Sequence, residues 1–114
     1  MDKQTRKELQ AQYREREVVG GIYVIRNILK NKWFVDAAVD LNGAENRFDF
    51  AIQTGTCIHL KLQDDWSAQA KDHFVFEVVE ELKKNEAQST EDYKADLKLL
   101  KEIWIEKLAG EELY

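Results

Sequence analysis

GGIYVIRNILKNKWFVDAAVDL, residues 20–41, is the stretch on which the reading of the whole chain turns. Ile22-Tyr23-Val24-Ile25 is a β-branched and aromatic run, and Lys32-Trp33-Phe34-Val35 is a second. Such residues suit the pleated, half-buried surface of a sheet. A turn near Leu29-Lys30-Asn31 separates them, so the stretch predicts a hairpin. Alternation along the second strand sends Trp33 and Phe34 to opposite faces, and Trp33 is the expected exposed aromatic on the sheet.

Working outward, Asp40 is placed to cap a helix running to about Thr54, with Leu41, Ala44, Phe48 and Ala51 on one face and Gly55 at its end. A shorter helix is expected over about Ile58 to Ala70, with Ile58, Leu62, Trp66 and Ala70 as its buried stripe. Phe74-Val75-Phe76-Glu77-Val78-Val79 reads as a third strand. After a loop at Lys84 to Gln88, Ser89 with Asp92 opens a last helix on which Tyr93, Leu97, Leu100, Trp104 and Leu108 recur at helical spacing, closed by Gly110. Toward the N-terminus, residues 3–17 lack Gly and Pro and carry only Leu9 and Tyr13 as spaced anchors, which predicts a mostly exposed helix ended by Gly20-Gly21. The expected partition is a helical extension over residues 1–19, a domain over 20–110 and a tail over 111–114. The expected class is α/β of the α+β kind: a small three-stranded, largely antiparallel sheet flanked by helices.

The bulk composition agrees with one domain. The chain has 114 residues, 44% of them hydrophobic and 34% charged, enough for one core beneath a heavily solvated surface. Its 22 acidic residues against 17 basic ones leave a net charge of -5, so there is no global field to attract phosphates. No apolar run of about 18 residues and no leader-like apolar segment occurs, so the expectation is a cytoplasmic protein without a membrane partner. The single cysteine, Cys57, agrees with a reducing compartment.

The phrases GIYVIRN, LKLQDDW and FVFEVVEEL, in this order between about Gly20 and Leu108, resemble the GIY-YIG nuclease superfamily, in its homing-endonuclease-like branch. The resemblance implies a GIY-YIG-like scaffold. It also implies what an active member would use: one divalent metal on a helix glutamate, a tyrosine that activates water, and an arginine that offsets phosphate charge. Tyr23 matches the tyrosine of the first triplet. Phe34 stands at the tyrosine of the second triplet, and Asp36 at its glycine. By the same resemblance the catalytic arginine falls on Ala44, two histidines fall on Phe48 and Cys57, and the metal-binding glutamate falls on Lys101.

Arg47 lies three residues beyond Ala44, on nearly the same helical face, and could stand in for the arginine. The same-face neighbours of Lys101 are Leu97, Lys98, Trp104 and Ile105, none of them a carboxylate, and Glu102 is turned about 100° away. Asp36 has two expected placements: paired with Lys101 or Arg47, or at a surface edge of the strand. Cys57 and His59 lack further ligands nearby for zinc, Asp64-Asp65 reads as a charged face, and no Gly-rich phosphate loop or nucleophile elbow is present.

These residues lead to the expectation of a catalytically inactive GIY-YIG-like domain with a binding or regulatory role. A protein partner is favoured, and Trp33, Asp36, Arg26, Lys32 and Lys101 are the candidate binding residues. A local face of Arg26, Lys30, Lys32 and Arg47 would instead hold nucleic acid. The alternative is a diverged endonuclease with Tyr23 and Arg47 as catalytic candidates, or a subunit whose site is completed in an oligomer. No metal or cofactor is expected, and Mg²⁺ or Mn²⁺ would enter only with the endonuclease alternative.

Overall fold

The structure is a computed structural model that describes residues 18–66 and 73–114. The helix expected over residues 3–17 and the end of the one expected to reach Ala70 lie outside the described residues. Strands β1 (Gly20–Asn27) and β2 (Lys32–Ala38) form the expected antiparallel hairpin, with Tyr23 opposite Asp36, Ile25 opposite Phe34 and Arg26 opposite Trp33. Its turn is built by asparagines. The buried Asn27 accepts from the backbone N–H of Leu29 at 3.1 Å and of Lys30 at 3.2 Å, and Asn31 takes the left-handed conformation at φ 51°. A short amide side chain tolerates that conformation and mimics a backbone turn.

β3 (Phe74–Leu82) runs three residues past Val79 and pairs antiparallel with β1, through a register shift between Ile22 and Tyr23. Gly20 and Gly21 belong to β1 and do not lie before it. A Cβ on Gly21 would overlap the Glu80 carbonyl oxygen and lie 2.9 Å from the Glu81 Cα, and one on Gly20 would overlap the Tyr93 hydroxyl and lie 2.7 Å from the Ala38 carbonyl oxygen. Their lack of a side chain is therefore a condition of sheet pairing.

The sheet has four strands where three were expected. The last residues are not a separate tail: β4 (Glu112–Leu113) joins the outer edge of β2 in parallel, giving the order β3-β1-β2-β4. A two-residue strand has no periodicity to read, and tertiary contacts hold it in place. The Tyr114 N–H donates to the Trp33 carbonyl at 2.8 Å. The Tyr114 hydroxyl donates to Asp65 Oδ2 at 2.7 Å and accepts from Asn27 Nδ2 at 3.0 Å, and the Lys32 ammonium sits 4.4 Å from the ring centre.

Helix α1 (Leu41–Thr54) is capped by Asp40, whose carboxylate accepts from the Gly43 N–H at 3.1 Å, and ends at Gly55 with φ 74°. It buries the expected Leu41, Ala44, Phe48 and Ala51. Helix α2 (Thr90–Lys107) is capped by Ser89, which accepts from the Asp92 N–H at 3.1 Å. Glu91 and Asp92 in its first turn and Lys107 in its last complement the helix dipole. It stops at Leu108, two residues before Gly110.

The second expected helix is corrected over its described part. Residues 58–66 contain a three-residue 3₁₀ turn, Leu60–Leu62, and the N–H groups of Leu62, Gln63, Asp65 and Trp66 each reach back only three residues. Leu62 and Trp66 are buried four apart, which is the helical signal the sequence carries, but Leu60 is 83% exposed. Two buried anchors are compatible with a tighter, irregular turn.

The sheet has α1 on one face and α2 on the other. Tyr23, Ile25, Phe34 and Ala38 pack with α1, Leu62, Trp66 and Phe74. Ile22, Val24 and Val35 pack with Val79, Leu100, Trp104 and Leu108. β1 is thus covered on both faces, which explains its unbroken apolar run. Trp33 is not the exposed aromatic expected: it is half-buried beside Leu113, with the Arg26 guanidinium 4.9 Å from its ring centre. Trp66 is buried, while Trp104 is half-buried and donates its indole N–H to Glu80 Oε1 at 3.0 Å. Among the described residues no helix is long and apolar enough to cross a membrane.

Candidate functional site

Opposed positions in an antiparallel pair share one face of the sheet, so the register that sets Tyr23 against Asp36 also brings their side chains together. The Tyr23 hydroxyl donates to Asp36 Oδ2 at 3.3 Å, and its ring stacks on Phe76 with centres 4.9 Å apart. Burial first, then the charge and hydrogen bond of Asp36, push the Tyr23 hydroxyl far above its ordinary ionisation range, with Arg47 a smaller opposing influence. A phenol held so firmly in its protonated form is a proton donor, and a poor base for activating water.

The other oxygen of Asp36 accepts from the Ala37 N–H at 2.8 Å and from Lys101 Nζ at 3.2 Å. Of the two placements expected for Asp36, the structure has the pair with Lys101, reached from α2 across 65 positions of sequence. Both side chains are about one-third exposed, at 33% for Lys101 and 29% for Asp36. A pair so open to water contributes no more than about 1 kcal/mol to stability.

Asp36 lies in the wall of a cleft of about 540 Å³ between the end of β2, α1 and α2. Ala37, Ala38 and Val39 continue that wall, Asp40 and Arg47 come from the start and middle of α1, and α2 contributes Lys94, Leu97, Lys98 and Lys101. Positions 94, 98 and 101 follow one face of a 3.6-residue helix. Four cations therefore meet two carboxylates, both already engaged: Asp36 as above, and Asp40 in capping α1. In the sequence Lys98 was named only as a neighbour of Lys101 and Lys94 was not named, although their spacing around Leu97 was a usable signal.

The candidates divide into two groups. Tyr23, Asp36, Lys101 and Arg47 converge on this cleft region. Arg26, Trp33 and Lys32 lie at the other end of the hairpin, three or more residue pairs away, or about 10 Å along the strands. There they are engaged locally: Arg26 covers Trp33 and donates to Asn31 Oδ1 at 2.9 Å, and Lys32 covers Tyr114. Lys30 is paired with Asp65. The face expected from Arg26, Lys30, Lys32 and Arg47 is therefore not assembled, because Arg47 belongs to the cleft and the others to the hairpin end.

Ala44 and Phe48 are core residues of α1. Cys57 donates its thiol to the His59 carbonyl at 2.9 Å, and the His59 ring lies 4.6 Å from that of Phe34. Among the described residues no three of His, Cys, Asp and Glu come together in a group able to hold a metal ion.

The fold is GIY-YIG-like. Two solved structures resemble it. One is the catalytic domain of the intron endonuclease I-TevI, as a mutant with alanine in place of one glutamate, 25% identical over 80% of this chain and 84% of that one, with a TM-score of 0.57. The other is the catalytic domain of the homing endonuclease I-TevI, 26% identical over 79% of this chain and 88% of that one, also at 0.57. No protein-family model matches the chain, and no curated protein does.

Proposed function

We propose that this chain is a GIY-YIG-like domain that no longer performs catalysis and acts in binding or regulation through a protein partner. The observation that carries this reading is the Lys101 ammonium at 3.2 Å from Asp36 Oδ1. Lys101 falls where the resemblance expects a metal-binding glutamate, and its fixed positive charge repels a divalent cation instead of holding it. Asp36 alone is no substitute, since its oxygens already serve Lys101, Tyr23 and the Ala37 N–H. The residues present do not fit the metal that the family's chemistry requires. Two further points support the reading: the raised ionisation of Tyr23, and the burial of Ala44 and Phe48 where polar catalytic groups would be expected.

One observation favours the rival reading, a diverged endonuclease: Arg47 reaches the cleft and influences Tyr23, so two of the expected roles keep a nearby group. Nicking of supercoiled plasmid in Mg²⁺ or Mn²⁺ separates the two. The expected outcome is no cleavage above a buffer control for the wild-type protein. Cleavage that disappears in both Tyr23→Phe and Arg47→Ala would establish a relocated active site and overturn the proposal.

A further inference from the structure

The cleft carries a charge balance of its own, opposite to that of the whole chain. Its lining has Arg47, Lys94, Lys98 and Lys101 against Asp36 and Asp40, whereas the chain has a net charge of -5. Asp40 is occupied as a helix cap, and Asp36 and Lys101 neutralise one another. Among the described residues Arg47, Lys94 and Lys98 form no ion pair. Three cations thus remain in a lining that also includes the apolar Ala38, Val39 and Leu97. Cations set among apolar lining residues suit a ligand that is itself both anionic and apolar.

Building on the reading of a non-catalytic binding domain, we infer that this cleft takes a short extended peptide of a partner protein in which acidic side chains alternate with other residues. The geometry matches at the level of spacing. Lys94 and Lys98 are four residues apart on α2, hence about 6 Å along its axis. Alternate residues of an extended peptide are about 6.6 Å apart and point to the same side. Two carboxylates in alternation meet the two lysines, Arg47 addresses a third from α1, and the peptide's aliphatic carbons cover Ala38, Val39 and Leu97.

A nucleic-acid strand suits the site less well. Duplex DNA presents a charge about every 1.7 Å and is held by a long track of cations. Here the cations are confined to a cleft of about 540 Å³. Acidic residues mark the neighbouring elements: Glu45 and Asp49 on α1, Glu91, Asp92, Glu102 and Glu106 on α2, and Glu77, Glu80 and Glu81 on β3. With its net charge of -5 the chain as a whole repels a polyanion long enough to extend beyond the cleft, whereas a peptide with two or three carboxylates is matched by the cations of the cleft itself.

The test is fluorescence anisotropy of the full chain with a fluorescein-labelled octapeptide of alternating Glu and Leu. The same peptide with Gln in place of Glu, and a single-stranded DNA dodecamer, serve as comparators. The Glu peptide is expected to bind at least tenfold more tightly than the Gln peptide, to weaken with salt, and to displace the DNA. Lys94→Glu with Lys98→Glu should weaken Glu-peptide binding tenfold or more, and Lys94→Arg with Lys98→Arg should keep it, with circular dichroism showing that each variant is folded. Equal binding of Glu and Gln peptides, unchanged binding after charge reversal, or tighter binding of the DNA would overturn the inference. Each of those results can occur with or without plasmid nicking, so failure here is distinct from failure of the proposed function.

Discussion

Lys101→Glu places a carboxylate on the α2 side of the cleft and converts an attractive contact into a repulsive one. In the wild-type protein the pair at 3.2 Å is about one-third exposed on each side, so its loss costs roughly 0.2–1 kcal/mol. The new carboxylate would lie about 5 Å from that of Asp36, where an effective dielectric between about 40 and 80 gives a repulsion of about 1–2 kcal/mol. The combined destabilisation is about 1–3 kcal/mol. At roughly 4 °C per kcal/mol for a domain of this size, the variant should melt about 4–12 °C below wild type at low ionic strength. Two facing carboxylates also offer oxygen ligands to a hard cation. If the site binds Mg²⁺ or Mn²⁺ with a Kd of about 1 mM, then about 10 mM of the ion stabilises the fold by roughly 1.4 kcal/mol and recovers much of that loss. Differential scanning fluorimetry with and without the ion reads both effects. Lys101→Gln is the control: it loses the attraction without gaining the repulsion, and it should show neither the larger drop nor the metal response. A Lys101→Glu protein that melts with the wild type and ignores the ion would show that Lys101 and Asp36 do not meet, which would remove the observation that carries the proposed function.

Gly21→Ala should destabilise the fold by about 3 kcal/mol in urea unfolding, because its Cβ meets only backbone of Glu80 and Glu81, which must separate from β1 to admit it. Gly110→Ala, where a Cβ meets nothing within 4 Å, should stay within about 0.5 kcal/mol of wild type; similar stabilities for the two variants would refute the β1–β3 register. Stability should also fall in alkali. Tyr23 ionises higher in the folded chain than unfolded, through burial and Asp36, so its contribution is complete below the ordinary tyrosine value near 10 and disappears as pH rises through the folded one. Tyr114 acts in the same direction, pushed up to about 12 by burial and by Asp65. Tyrosinate absorbance should therefore lag behind that of free tyrosine until the chain unfolds, and Tyr23→Phe should flatten the alkaline loss. Ionisation of every tyrosine near pH 10 in the folded protein would contradict the packing of Tyr23 on Phe76.

Local chemistry made much of the scaffold readable. The hairpin follows from two β-branched and aromatic runs around an asparagine-rich turn, and the helix starts follow from Asp40 and Ser89, each bonding to a backbone N–H three residues on. The stripe Leu41, Ala44, Phe48 and Ala51 is buried as its spacing implies. Where one short stretch does not hold enough information, the reading departs from the structure. Leu62 and Trp66 imitate a helix because two anchors four apart satisfy its period, and β4 is too short to have any period. Trp33 loses its expected exposure to Arg26 and Leu113, one across the hairpin and the other from the far end of the chain.

The same division runs through the cleft. Sequence alone determined which charges exist: a lysine on α2, an aspartate on β2, an arginine on α1, and further lysines at helical spacing. It also allowed Asp36 and Lys101 to be matched as possible partners, because the resemblance put both near one centre. Tertiary structure decided which charges meet. Packing α2 against β2 brings Lys101 to Asp36, and the hairpin register brings Tyr23 to the same carboxylate. Arg26 and Lys32, just as cationic in sequence, are turned to aromatic rings at the far end of the hairpin. Propensity, capping and turn chemistry act over a few residues and are written locally, whereas electrostatic contact falls off with distance in space and so depends on the folded arrangement of segments far apart in the chain.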